Sequence, residues 1–266
     1  MSGSDAPDPG LAGQAARPVA GIDNGFRAGY RVRFDEAGPD GLVRTGSLLR
    51  YAQDIAWRHS EDRGFDRRWY ADRSRWWVVR SIELTVFGAI PMGRTLGLDT
   101  AVIGHRRIWA RRRGAFSLDG PGIVALALVD WVLLDERGRI LRIPPDFGDA
   151  FPNLEVADDI IRVSPPPAPA GTSRHAIHVR PQDLDPMGHA NNAAYLDWAE
   201  EAVAAAGAPD AVAGLPRTWR AEYAASAEAG DDLEAAAWPE GEDWWVVLER
   251  PTDGAVVFRA RLRPSP

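Results

Sequence analysis

The sequence predicts an α+β protein made of two copies of one unit, each an antiparallel sheet carrying a single long helix. Three observations predict it. Each half of the 266 residues runs strand, Gly-containing turn, amphipathic helix, then four strand-like stretches. A proline-rich connector separates the halves. An offset of 147 residues sets Gly41 against Gly188, and Arg44 and Thr45 against Asn191 and Asn192. Units joined this way form a pseudo-dimer, and the chain is long enough to bury a sizeable core.

Residues 1–23 are Ala/Gly/Pro-rich without an apolar run. They predict a disordered tail, neither a secretory signal nor a membrane span. The first unit occupies 24–148. Its strand-like Tyr30–Asp35 leads into Gly38-Pro-Asp-Gly41. Leu48, Ala52, Ile55, Ala56 and His59 then trace one helical face, with Thr45 or Ser47 as N-cap and Gly64 beyond its end. Alternating or apolar runs predict strands at Trp76–Phe87, Leu96–Gly104, Ile108–Leu118 and Val124–Leu134.

Residues 149–173 form the linker, clearest at Arg162–Thr172, where four prolines exclude a helix interior or central strand. The second unit, 174–266, opens with the strand-like His175–Arg180 and the turn Asp185-Pro-Met-Gly188. Tyr195, Trp198, Ala202 and Ala205 mark its helix, with Asn191 or Asn192 as N-cap and Gly207 past the end. Strands are predicted at Thr218–Glu228, Leu233–Trp238, Trp244–Leu248 and Ala255–Leu262.

Cysteine is absent, which excludes disulfides, thiolate catalysis and cysteine-ligated metal clusters. It fits a reducing, cytoplasmic setting. Every one of the 31 basic residues is arginine, and the net charge is −7. That charge is uneven: residues 24–148 carry +6 and residues 149–266 carry −11. The basic half suits an anionic partner, and would equally be a solvated arginine-rich surface. The acidic total and the lack of a recognition motif exclude nucleic acid.

Asp185 and His189 flank a Pro/Gly turn at the head of a helix. An acid and an imidazole there can take or deliver a proton, and the opening amides, near Asn191 to Ala194, can stabilise an oxyanion. Asp-Pro, Met-Gly and Asn are also ordinary turn and cap formers, so the full string, ending Asn191-Asn-x-x-Tyr195-x-x-Trp198, carries the reading. Asp183, Asp185 and His189 could supply three metal ligands, but no further His cluster joins them and no metal or cofactor is expected.

Residues 183–198 resemble the signature of hotdog-fold thioesterases, in detail the C-terminal half of acyl-acyl-carrier-protein (acyl-ACP) thioesterases. In the first half the resemblance includes Leu48–Ala56, His59-Ser-Glu61, Trp77-Val-Val-Arg80, Arg113-Gly-Ala-Phe116, Ala127–Asp135 and Arg142-Ile-Pro144. It implies two tandem hotdog units, hydrolysis of acyl-ACP to free fatty acid in fatty acid biosynthesis, and a site built on Asp185 and His189. Leu42 stands where the second half has His189, which implies one site per chain.

The family's Asp-x-Asn-x-His pattern has Met187 at its Asn position here, and Ser226 falls where the family has a later Glu. Glu228 lies two residues on, about 7 Å away along a strand, and could substitute only through a register shift or bulge. Asp185-Pro-Met-Gly188 also resembles the Asp-Pro-x-Gly turn of acyl-CoA thioesterases of the 4-hydroxybenzoyl-CoA type, where the Asp is the catalytic carboxylate. The alternatives are therefore an acyl-CoA thioesterase and a non-catalytic acyl-binding protein.

The acyl carrier protein implied as partner is acidic and suits the basic half. Strand alternation places Arg107, Arg111 and Arg113 on one face, where they could meet a phosphopantetheine phosphate or carrier carboxylates. Leu48, Leu49, Ala52, Ile55, Ala56 and the strand around Trp77 are candidate walls for the acyl chain, and equally plain core. A homodimer of such double-unit chains is compatible with this layout.

Overall fold

Pairing begins at a short edge strand, β1 (Phe26–Arg31), which lies antiparallel to β3 (Thr95–His105). This computed structural model describes residues 25–118, 122–151 and 159–264, so the tail expected over 1–23 lies outside the described residues. From β3 the sheet continues through β4 (Trp109–Leu118), β5 (Ile123–Asp135) and β2 (Arg75–Val86). It crosses to the second half at β7 (Arg217–Tyr223), then runs through β10 (Ala255–Arg263), β9 (Asp243–Arg250) and β8 (Asp232–Glu240) to β6 (Ser173–His178). All pairings are antiparallel. The order β1-β3-β4-β5-β2 is repeated in mirror sense by β7-β10-β9-β8-β6, so the predicted duplication is one continuous ten-stranded sheet.

Side-chain pairs tie the halves at the β2–β7 junction. Arg220 Nε donates to Glu83 Oε2 at 2.8 Å, the Thr85 and Thr218 hydroxyls meet at 3.0 Å, and Arg80 pairs with Glu222 at 2.7 Å. Such cross-strand pairs fix register, because a one-residue slip would turn every side chain to the other face.

Two long helices lie on one face of the sheet, α1 (Thr45–Asp62) and, in the second half, Asn192–Ala205. Leu48, Leu49 and Ile55 from the first, and Tyr195, Trp198 and Val203 from the second, bury into one apolar cluster with Ile82, Leu84, Trp219 and Phe258 of the sheet. Burying such side chains stabilises by about 1.5–3 kcal/mol each. Among the described residues three short helices remain: α2 (Arg67–Arg73), α3 (Pro145–Ala150) and, after the helix at Asn192–Ala205 (α4), α5 (Pro209–Ala213). Among the described residues, no helix is long and apolar enough to cross a membrane.

The 147-residue offset holds at the level of single backbone bonds. Gly38 N–H donates to Leu42 O as Asp185 N–H donates to His189 O, both at 2.8 Å. Gly41 and Gly188 both take positive φ, 74° and 82°, which a residue with a Cβ rarely adopts. Arg44 N–H donates to Glu36 O as Asn191 N–H donates to Asp183 O. Even the single 3₁₀ turns, Phe34–Glu36 and Pro181–Asp183, coincide.

The structure corrects the local reading at four places, the first being the strand expected over Tyr30–Asp35, which runs over Phe26–Arg31 and gives way to the 3₁₀ turn Phe34–Glu36. Arg44, not Thr45 or Ser47, is the N-cap of α1 and makes no side-chain cap bond. Thr45 is drawn instead to Glu200 of α4, and Ser47 Oγ donates to Glu36 O. The strand expected over Thr218–Glu228 stops at Tyr223, because the Ala224 and Ala225 amides both converge on Val257 O and leave the ladder. Arg106–Ile108 form the β3–β4 turn, closed by Arg106 N–H donating to Trp109 O at 2.8 Å, so they have no place in strand alternation.

Candidate active site at the head of the second long helix

The two aspartates of the motif have different duties. Asp183 accepts from the backbone N–H and the guanidinium of Arg180 at 2.9 and 3.0 Å, while its carbonyl receives Asn191 N–H at 2.7 Å. It is consumed in shaping the turn. Asp185 N–H donates to His189 O at 2.8 Å where the turn closes, and both residues are half-buried. Asp185 Oδ1 accepts the Met187 amide at 2.8 Å, an Asx turn that orients the carboxylate. Met187 is exposed and its side chain carries no amide to aid catalysis.

A third ionisable group arrives from the β7–β8 loop. An isolated antiparallel bridge pairs His189 with Glu228. Ala190 N–H donates to Ala227 O at 2.8 Å beside it, so 189 and 228 form a non-hydrogen-bonded pair. The Cα atoms of such a pair sit about 4.5 Å apart with side chains on one side. The loop that leaves the ladder after Tyr223 thus brings the backbone of Glu228 alongside that of His189, with the Glu228 side chain exposed. Ser226, at the family's Glu position, is exposed.

Two buried phenols anchor this arrangement from α4 and β7. Tyr195 Oη accepts the Ala227 amide at 2.8 Å, and Tyr223 Oη donates to Asn192 O at 2.9 Å. Burial pushes the Tyr195 hydroxyl up to about 12 and the Tyr223 hydroxyl well above its ordinary range, so both stay protonated.

Asn191 caps α4, its Oδ1 accepting Ala193 N–H at 2.9 Å. The Asn191 amide is bound by Asp183 O and the Ala194 amide by Asn191 O. Of the four amides expected to open an oxyanion site, only that of Asn192 is without a partner among the described residues. The anion-stabilising element is narrower than the motif suggests.

In the first half the equivalent bridge pairs Leu42 with Pro91, two groups without acid–base chemistry. The matching helix head is a polar cleft lined by Arg33, Glu36, Arg44, Arg50, Asp197 and Glu200. Arg50 and Asp197, themselves 147 residues apart, form a 2.7 Å ion pair between the helices. Burial raises the Glu200 carboxyl above the usual range.

The expected arginine face is largely corrected. Arg111 is 0% exposed and makes a two-pronged ion pair with Asp130, Nε–Oδ1 2.7 Å and Nη2–Oδ2 2.9 Å. Its Nη2 also donates to Asp159 O, and Asp130 accepts Ile161 N–H at 2.7 Å. This pair straps the connector to the sheet and cannot reach a carrier protein. Arg113 is buried as well, beside Asp99, and burial lowers its pKa. Arg107, in the turn, remains exposed. Trp77 packs on Phe147 of α3, ring centroids 4.8 Å apart, in a cluster separate from Leu48, Leu49, Ala52 and Ile55. Among the described residues no group of three or more His, Asp or Glu could hold a metal ion.

Two family models match the chain: the acyl-ACP thioesterase N-terminal domain over residues 23–151 and the acyl-ACP thioesterase C-terminal domain over residues 168–245. The chain belongs to the acyl-ACP thioesterase family. Among curated relatives of this family, a chloroplastic acyl-[acyl-carrier-protein] hydrolase of Cuphea viscosissima is 26% identical over 189 residues, 65% of this chain and 46% of its own length. A chloroplastic oleoyl-acyl carrier protein thioesterase of Coriandrum sativum is 22% identical over 201 residues, 67% of this chain and 53% of its own. The chain thus spans about half the length of the curated relatives it matches. Its fold is shared with a 12:0-ACP thioesterase of Umbellularia californica (TM-score 0.76, 22% identity, 91% of this chain and 98% of that one). An acyl-ACP thioesterase of Bacteroides thetaiotaomicron shares it too (TM-score 0.73, 15% identity, 90% and 97%). The tandem hotdog architecture is therefore that of this family.

Proposed function

We propose that this thioesterase-family chain hydrolyses acyl-ACP, releasing free fatty acid, at one site per chain carried by Asp185 and His189. The observation that carries the reading is the Asp185-to-His189 turn at the head of α4, whose backbone bonds recur around Gly38 and Leu42 without the acid or the imidazole. Asp185 either attacks the thioester carbonyl carbon or takes the proton of an attacking water. By the water route the C–O bond forms as the C–S bond breaks, and the proton taken from water passes to the departing thiolate. By the carboxylate route the C–O bond made is a mixed anhydride with Asp185, and the thiolate leaves with a proton relayed by His189. Water then cleaves the anhydride to free fatty acid, regenerating the Asp185 carboxylate and returning the proton to His189. His189 polarises the carbonyl or relays that proton, and the Asn192 amide faces the developing oxyanion.

The basic first half, with Arg107 exposed, suits an acidic carrier, and the absence of cysteine suits action in the cytoplasm. A homodimer of these chains belongs to the same proposal. Met187 favours a second reading, in which the Asp-Pro-x-Gly turn works on acyl-CoA without the missing asparagine. Hydrolysis of matched acyl-ACP and acyl-CoA panels by wild type and Asp185→Asn tests both. The proposal expects ACP esters to be preferred and Asp185→Asn to be inactive. A strong CoA preference overturns the substrate, and an active Asp185→Asn overturns the site.

A further inference from the structure

His189 and Glu228 come from segments about forty residues apart in the sequence, and beside the backbone bond from Ala190 to Ala227 a side chain the motif does not contain holds the second segment in place. Arg250, at the end of β9, uses all three guanidinium nitrogens on the β7–β8 loop and its neighbour. Nη2 donates to Ser226 O at 2.6 Å, Nε lies 3.2 Å from Asp231 Oδ2, and Nη1 bonds Asp253 Oδ2 at 3.1 Å. Asp231 Oδ2 in turn accepts Glu228 N–H at 3.0 Å. The loop has left the ladder after Tyr223, and its backbone is held at Ala227 by Ala190 N–H and beyond Glu228 by Gly230 N–H on Val179 O, while Ser226 O is held by the guanidinium. Arg250 grips it two residues before Glu228 and three residues after, while the Tyr195 hydroxyl and Ala190 amide hold Ala227 between. The guanidinium is a planar, pre-organised fork, suited to fixing a carbonyl and a carboxylate together.

We propose that Arg250 is a positioning residue that sets Glu228 beside His189, and that Glu228 is thereby the carboxylate working on the imidazole while Ser226 occupies the family's Glu position. On substrate binding the Glu228 carboxylate takes the N–H of one ring nitrogen, so that the other faces the thioester and the imidazolium formed in the transition state is stabilised. The first half offers the contrast, since its equivalent loop carries Pro91 against Leu42 and has no such group to position. This rests on the reading of Asp185 and His189 as the hydrolytic pair.

The test is a double-mutant cycle on acyl-thioester hydrolysis with Glu228→Gln, Arg250→Met and the combination, with Asp185→Asn beside them. Glu228→Gln is expected to lower kcat about 100-fold with KM little changed. Arg250→Met should do nearly the same, and the double variant should be no worse than Glu228→Gln alone, because both remove one function. Arg250→Lys, which keeps the charge without the fork, should recover part of the loss. If Arg250→Met does not fold, Asp231→Asn replaces it in the cycle with the same expectation. Losses that multiply in the double variant overturn the positioning role, and a Glu228→Gln enzyme within twofold of wild type overturns the role of Glu228. Asp185→Asn separates the levels: if it is inactive while Glu228→Gln is active, only this inference falls, whereas an active Asp185→Asn removes the hydrolytic pair itself.

Discussion

Replacing Arg111 by methionine should destabilise the fold severely while sparing recognition of the carrier. Arg111 and Asp130 are each fully buried, and the pair makes two charge-assisted bonds at 2.7 and 2.9 Å. Without the guanidinium, Asp130 keeps only the Ile161 amide and a 3.3 Å bond from Ser81 Oγ to offset a buried negative charge. Removing one partner of such a pair costs about 3–5 kcal/mol. At about 2–4 °C per kcal/mol for a chain of this size, Tm should fall by roughly 6–20 °C. Arg111→Met/Asp130→Leu removes the orphan charge, leaving mainly the Ile161 amide and Asp159 carbonyl unsatisfied, at about 1–3 kcal/mol each. The double variant should therefore be more stable than the sum of the single losses implies. Urea unfolding of the four proteins measures this. An Arg111→Met protein within about 1 kcal/mol of wild type, or strictly additive losses, would refute the reasoning. Folded Arg111→Met should keep its KM for acyl-ACP, since Arg111 does not reach the surface.

Asp185→Asn and His189→Ala should each lower kcat by about 100-fold or more with little loss of stability, because Asn keeps the acceptor for the Met187 amide and His189 makes no side-chain bond among the described residues. Urea midpoints measured beside the rates check this. His59 is buried and held down to about 3, chiefly by desolvation and then by Arg112 and Arg63, against 6.5 for a free imidazole. Its neutral form is favoured in the folded state, so the stability it contributes is full above pH 6.5 and is lost as pH falls toward 3, by up to about 1.4 kcal/mol per pH unit. His59→Gln should flatten this dependence between pH 6.5 and 4 in urea titrations, and an unchanged slope would remove His59 as its source. Asn191→Ala should cost about 1 kcal/mol through the lost α4 cap, and Asn191→Ser should restore most of it.

What could be read locally was read correctly where neighbours along the chain impose the geometry. Gly188 needs positive φ, Asn191 caps two residues ahead, and the Asp185 turn closes on His189, all within one short segment. The arginines of β4 could not be placed that way. Strand alternation does not extend through Arg106–Ile108, which form a turn, and Asp130 and Asp159, the partners of Arg111, lie 19 and 48 residues away. Thr45 looked like a cap because its local chemistry suits one, but Glu200, 155 residues away, captured its hydroxyl.

The sequence by itself determined the duplication, the two helices, the turn that carries an acid and an imidazole, and the family likeness, because turn and cap requirements and apolar periods are properties of neighbouring residues. The tertiary structure alone decided that the backbone of Glu228 bridges His189, that Arg250 grips the loop carrying it, that among the described residues the Asn192 amide is left open at the head of α4, and that Arg111 is a strap. Each of these depends on which groups distant in sequence are buried together. Once water is excluded, a buried charge or amide must find its partner wherever the sheet register has placed one.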